Sequence, residues 1–183
     1  MGGQHPLSNF MDYGTLSLVV SISVVVIAAV IDTYTRRIPN WLVGPCLVAG
    51  LTLRWVLEGR GGLWDSLAAV SLALLATLPI YLLGGLGLGD CKLLAALGAW
   101  VGLYQLVFVL FGTALAGGVI AVLYTSRKGL LGQSLRSTAT VLTGWARQGI
   151  RKNPTVSLDN PAAVSIPYGP AIAAGVLFSF LYV

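Results

Sequence analysis

Apolar residues in this chain fall into long unbroken runs, separated by short polar or glycine-rich stretches. Tyr13 to Ile31 is the first run, about 19 residues, enough to cross a bilayer as one helix. It closes at Asp32, and the polar, basic stretch "TYTRRIPN" follows. Asn40 is placed to cap a new helix and Trp41 to sit at headgroup depth, so a second span is predicted from Trp41 to Leu57. "EGRGGLWD" reads as a hydrophilic turn and Ser66 to Leu83 as a third span. "GGLGLGD" then breaks the helix, because glycine is costly inside one and favoured where backbone must bend. Leu93 to Tyr124, about 32 residues, is too long for one crossing and tight for two. Ile166 to Val183 is the last span.

Charge decides how the run 93–124 divides. Arg127, Lys128, Arg136, Arg147, Arg151 and Lys152 stand between Thr125 and Lys152 without an acid, and Arg36 and Arg37 follow the first span. Basic residues collect in cytoplasmic loops. Both basic loops share a side only if the run 93–124 crosses twice, so it is split near "VGLYQ", residues 101–105, with a short fourth helix beginning at Asp90. The reading is an all-α, polytopic protein with about six transmembrane helices. It forms a single membrane-embedded domain over 1–183, with a basic cytoplasmic loop at about 125–165 and the stretch Glu58–Asp65 facing outward. Inside that loop Leu135, Ala139, Leu142, Ala146 and Ile150 recur near helical spacing. They predict a helix on the inner leaflet with Trp145 at headgroup depth, the alternative being a solvated loop.

Composition agrees. The chain has 183 residues, 56% hydrophobic and 9% charged, with mean hydropathy +0.85, where soluble domains carry about 25% charged residues. The net charge of +5 is then a topology signal, not a nucleic-acid footprint. Cys46 and Cys91 lie in or beside apolar runs, which argues against a disulfide framework. The N-terminal "MGGQHPLSNFMDYG" has no Lys or Arg before the first run, so no cleavable signal peptide is expected.

The available chemistry is narrow. The one histidine, His5, lies in the outer tail, which removes His-based triads and His-containing zinc sites. No phosphate-binding Gly-x-x-x-x-Gly-Lys motif occurs. Cys91 has no base beside it except Lys92 and reads as a small packed hydrophobe. Carboxylates remain. Asp12, Glu58 and Asp65 fall on the outer side and Asp159 in the late loop, leaving Asp32 and Asp90 at helix ends on the inner face. Each alone can be an interfacial residue that caps a helix or snorkels to water. Together, with Asp90 in a glycine-flanked break, they suit hydrolysis. Two close carboxylates share a proton, one activating water and the other protonating the carbonyl and the leaving amine. The glycines leave room for a substrate backbone. Lys92 is either an anchor obeying the positive-inside rule or a charge that tunes the Asp pair.

Three ordered segments resemble the type IV prepilin peptidases, polytopic aspartic proteases of the inner membrane. They are "DTYTRRIPN" (Asp32 to Asn40, with Pro39 before Asn40), "GLGDCKLLAALGAW" (Gly87 to Trp100, with Gly89 before Asp90) and "IPYGPAIAAG" (Ile166 to Gly175). The resemblance covers nearly the whole chain and implies the Gly-x-Gly-Asp aspartic protease fold with Asp32 and Asp90 as the catalytic pair. It implies that Pro167 and Gly169 shape the start of the last helix. The implied substrate is the basic leader of a pilin-like protein, type IV pilin, pseudopilin or Flp-type, cut at the cytoplasmic face. No metal or organic cofactor is implied for the proteolysis. The absence of a four-cysteine zinc domain makes the chain similar to the short, peptidase-only members of tight-adherence (Flp) pilus and archaeal preflagellin systems, and N-methylation of the product is not expected. A presenilin-like protease is the second enzyme reading, but its Tyr-Asp and Pro-Ala-Leu motifs are missing. A small ion-coupled carrier using Asp32 and Asp90 as proton sites is the non-enzyme reading.

Overall fold

The computed structural model describes residues 6–35, 38–82, 85–127 and 168–182. All the regular structure among them is helical: α1 (Pro6–Thr35), α2 (Asn40–Leu82), α3 (Leu88–Arg127) and α4 (Gly169–Tyr182). The first three are long and apolar enough to cross a membrane.

Two of these helices are folded back on themselves. Gly59 in α2 (φ 66°, ψ −148°) and Gly102 in α3 (φ 80°, ψ 176°) leave helical geometry for a single residue. This region of backbone space is open almost solely to glycine. A Cβ built on Gly62 would lie 2.7 Å from the carbonyl oxygen of Arg54. In a straight helix those positions stand about 12 Å apart. Likewise a Cβ on Gly98 would lie 3.3 Å from Leu106 Cδ2, across the bend at Gly102. Each long helix is therefore a hairpin of two arms, 40–58 with 60–82 and 88–101 with 103–127.

The two bends meet. Arg54 pairs with Glu58 (2.7 Å) and Asp65 (2.9 Å), and both Asp65 carboxylate oxygens accept from the backbone N–H of Leu103 at 3.3 Å. The turn read in "EGRGGLWD" is present as the single-residue bend at Gly59. The helix resumes directly after it, with Glu58 and Asp65 both paired to Arg54, which lies outside the stretch. Other boundaries also move. Helix α1 continues a turn past Ile31, so Asp32 lies inside its last turn. Helix α3 begins at Leu88, not Asp90, and continues to Arg127; α4 begins at Gly169. The division of the run 93–124 falls at Gly102, inside the stretch 101–105.

The arm 88–101 is the core. Leu93, Leu94 and every residue from Ala95 to Gly102 are buried, and a helix apolar all round belongs inside its protein. Its neighbours come close where side chains are small. Gly50 lies against the Trp100 indole, whose Nε1 donates to the Cys46 carbonyl at 2.8 Å. Gly98 faces the Ala69 backbone, and Ser66 Oγ donates to the Ala99 carbonyl at 3.0 Å. Gly112 approaches Gly175 on α4 within a 3.0 Å contact of its would-be Cβ. Cys46 and Cys91 are buried free thiols. Arg36, Arg37, Asp159, Pro167 and the helix predicted around Trp145 lie outside the described residues.

Candidate active site

The site lies at the end of the bundle away from the two bends. Helix α2 closes there when the Gly85 N–H donates to the Ile80 carbonyl (2.9 Å), the six-to-one bond that ends many helices. The chain restarts as α3 two residues later. Gly87 provides the first carbonyl of the new helix, accepting from the Cys91 N–H at 3.3 Å. Asp90, in the first turn, reaches back to the backbone N–H of Gly87, the same reach a capping-box acid makes. A Cβ on Gly87 would sit 2.9 Å from Asp90 Oδ2. Glycine is thus what lets the carboxyl fold over the helix start. Asp90 Oδ1 is buried and has no hydrogen-bond partner among the described residues.

Asp32 arrives from the last turn of α1. Its Oδ2 accepts from the Gly169 N–H at 3.2 Å, an otherwise unpaired donor at the start of α4. Contact this close requires Gly169 itself. A Cβ there would lie 2.7 Å from Ala29 Cα and 3.3 Å from Asp32 Cβ. Both carboxylates are 8% exposed, and they line one cavity of about 300 Å³ together with Ile38, Asn40, Gly87, Gly89 and Lys92. Gly89 is pressed against Ile38, since its Cβ would meet Ile38 Cβ at 3.0 Å.

Lys92 Nζ donates to Asn40 Oδ1 at 3.1 Å, joining the starts of α3 and α2. Among the described residues the ion pairs are those of Arg54, so Lys92 is tied to an amide and forms no pair with Asp32 or Asp90. Helix α2 opens on the Pro39 carbonyl, which accepts from the Leu42 N–H at 3.2 Å; Asn40 receives Lys92. Of the residues singled out in the sequence, Asp32, Asn40, Gly87, Gly89, Asp90 and Lys92 share the cavity, Pro39 lies between the lining residues Ile38 and Asn40 in sequence, and Gly169 bonds Asp32. No group of three or more His, Cys, Asp or Glu that could hold a metal ion occurs among the described residues.

Tyr168 was not among the residues predicted from sequence. It is half buried, packs its ring on Gly117, and lies within the electrostatic reach of Asp90. Its carbonyl accepts the Ile172 N–H at 3.0 Å and so starts α4. Its place beside Gly169 was the available signal.

The helices and the paired carboxylates define an integral membrane protein, all-helical among the described residues, with a buried acidic site at one end. Residues 19–122 match the type IV leader peptidase family. The chain belongs to that family. It is similar to a prepilin leader peptidase/N-methyltransferase of Burkholderia pseudomallei (strain 1026b), 33% identical over 111 residues, covering 53% of this chain and 33% of that protein. It is also similar to proteins of the same name from Aeromonas salmonicida (strain A449), 34% identical over 117 residues, covering 60% and 40%, and Bacillus subtilis (strain 168), 30% identical over 167 residues, covering 90% and 54%. The chain thus spans from a third to about half the length of these relatives. No solved structure matches it.

Proposed function

We propose that this chain is a membrane aspartic endopeptidase that removes the basic leader from prepilin-like precursors, with Asp32 and Asp90 as its catalytic pair. One observation carries the reading: two buried carboxylates, from the end of α1 and the start of α3, line one cavity together with Gly87 and Gly89. With one proton between the pair, the ionised carboxyl takes a proton from water as the oxygen attacks the peptide carbonyl. The protonated carboxyl gives its proton to the carbonyl oxygen. Collapse of the tetrahedral intermediate breaks the C–N bond: the leaving amine takes a proton from the carboxyl that received one from water, and the hydroxyl formed on the carbonyl oxygen returns its proton to the other carboxyl, restoring one proton on the pair. Asp90 Oδ1, unpaired, is the atom suited to hold the water; Asp32 is steadied by the Gly169 N–H.

The chain is read as one peptidase domain over 1–183 with six crossings, α1, the two arms of α2, the two arms of α3, and α4. Exposed aromatics support the placement. Tyr34 and Trp41 ring the site end, and Trp55, Trp64 and Tyr104 the end with the bends; such residues gather at the two membrane interfaces. Arg54 and Arg60 apart, every Lys and Arg falls in a segment that starts or ends at the site. The site is therefore assigned to the cytoplasmic face of the inner membrane.

Co-expression with a leader-bearing pilin precursor tests the reading, scored as a mobility shift. Wild type should convert the precursor. Asp32→Asn and Asp90→Asn should insert normally and lose conversion by at least about 100-fold, the lower range for a general acid or base. Near wild-type processing by a well-expressed Asp90→Asn protein would return the proton-carrier reading.

A further inference from the structure

A second cavity, of about 470 Å³, has a mostly apolar lining. Most of that lining comes from the arms 60–82 and 103–127, with Leu86, Leu94, Tyr168 and Ile172 completing it. Those two residues are the chain neighbours of Gly87, beside Asp90, and of Gly169, on Asp32. The two linings thus come within one residue of each other at Leu86–Gly87, and Tyr168 precedes the residue whose N–H bonds Asp32. Ala76, Ile80, Ala114 and Gly118 on its lining are exposed, so it opens sideways toward lipid. It runs beside α3 from Leu110 to Ala121, about 16 Å or three helical turns. Thr113 on the lining is 8% exposed, and its Oγ1 has no partner among the described residues.

We infer that this lateral groove seats the apolar segment of the substrate that flanks the scissile bond, lying as a helix along α3, with Gly118 and Tyr168 limiting the bulk it accepts. The inference rests on the proposed peptidase function. A peptide bond held between Asp32 and Asp90 has two flanks. Toward Asn40 and Lys92 the surroundings are polar. Toward Leu86 and Tyr168 they are apolar and open to the bilayer, so an apolar helix reaches the carboxylates there without leaving lipid. Small wall residues let helix backbones approach closely, the main source of helix association in membranes.

Site-directed crosslinking tests it in the full chain. The partner is a leader-bearing precursor with a cysteine one or two turns past the cleavage point, and Asp90→Asn keeps it uncleaved. Ala114→Cys and Gly118→Cys should crosslink to the precursor; Phe111→Cys and Val119→Cys, exposed but off the groove, should not. Buried Cys46 and Cys91 limit background. In the otherwise wild-type enzyme, Gly118→Leu should raise KM roughly ten-fold with a smaller change in kcat. Its side chain has room, since nothing lies within 4 Å of a Cβ built there. Absence of crosslinks at Ala114 and Gly118, while the wild type cleaves the same precursor, would overturn the inference and leave the groove to lipid chains. Crosslinks between two copies of the chain would overturn it in favour of self-association. Failure of the wild type to cleave would strike the peptidase reading instead.

Discussion

At the scale of the residue, the two carboxylates are held by different devices. Asp32 is fixed by a donor from another helix, Gly169 N–H, and Asp90 by the start of its own. Each device needs a glycine for a steric reason, and this separates positioning from stability. Gly87→Ala puts a methyl group 2.9 Å from Asp90 Oδ2, an atom at the free end of a rotatable side chain. The carboxyl turns away and the helix stays. We expect kcat to fall about 10- to 100-fold, the scale of a 1 Å misplacement, with little change in melting temperature. Equal losses of activity and stability would contradict this. Lys92 and Asn40 form one contact, so they should act as a unit. Lys92→Ala and Asn40→Ala should each weaken activity less than either Asp→Asn change. A double-mutant cycle should show coupling of about 0.5–1.5 kcal/mol, the net worth of a hydrogen bond. Purely additive effects would show that the bond between them is without consequence.

At the scale of the element, two single-residue bends turn two helices into four arms, and they differ in a testable way. Gly59 and Gly102 both take backbone angles that other residues reach at a cost of about 1–3 kcal/mol. Around Gly59 a Cβ meets nothing within 4 Å, whereas at Gly102 it runs into Arg54 and Asp65. Thermal unfolding in detergent should therefore rank Gly102→Ala clearly below Gly59→Ala, and both below wild type. The reverse order would mean that the Arg54–Asp65–Leu103 network is not what joins the bends. Much of this level was readable beforehand. Apolar run lengths and charge asymmetry together required a break near 101–105, and it stands at Gly102. The turn in "EGRGGLWD" was readable too, and it stands at Gly59. Its shortness was not, because polarity alone does not show that Arg54, outside the stretch, pairs with Glu58 and Asp65 across the bend. The same holds at the site. Asp32 and Asp90 stand out in an apolar chain as isolated acids at helix ends. Tyr168 and the link from Lys92 to Asn40 depend on which helix ends meet, which no local pattern encodes.

At the scale of the whole molecule, the orientation is open to a direct test. Helix ends alternate between two faces: Asp32, Asn40, Asp90 and Gly169 lie at one, Gly59 and Gly102 at the other. In chain order Arg36 and Arg37 stand between Asp32 and Asn40, and the basic residues from Arg127 to Lys152 between the end of α3 and Gly169. The opposite face bears Arg54, Glu58, Arg60 and Asp65, with no charge excess. Basic loops are retained on the cytoplasmic side, so under the proposed reading the whole arrangement is expected to insert in one direction. Single cysteines read this out with a membrane-impermeant thiol reagent, and the buried native Cys46 and Cys91 keep the background low. Arg60→Cys, exposed beside the first bend, should label in intact cells. Tyr34→Cys, 85% exposed and two residues after Asp32, should label only after the membrane is opened. Labelling of Tyr34→Cys from outside would invert the assignment. The site would then face away from the cytoplasm, where a cytoplasmic leader cannot reach it, and the leader-cleavage reading would fail with the topology.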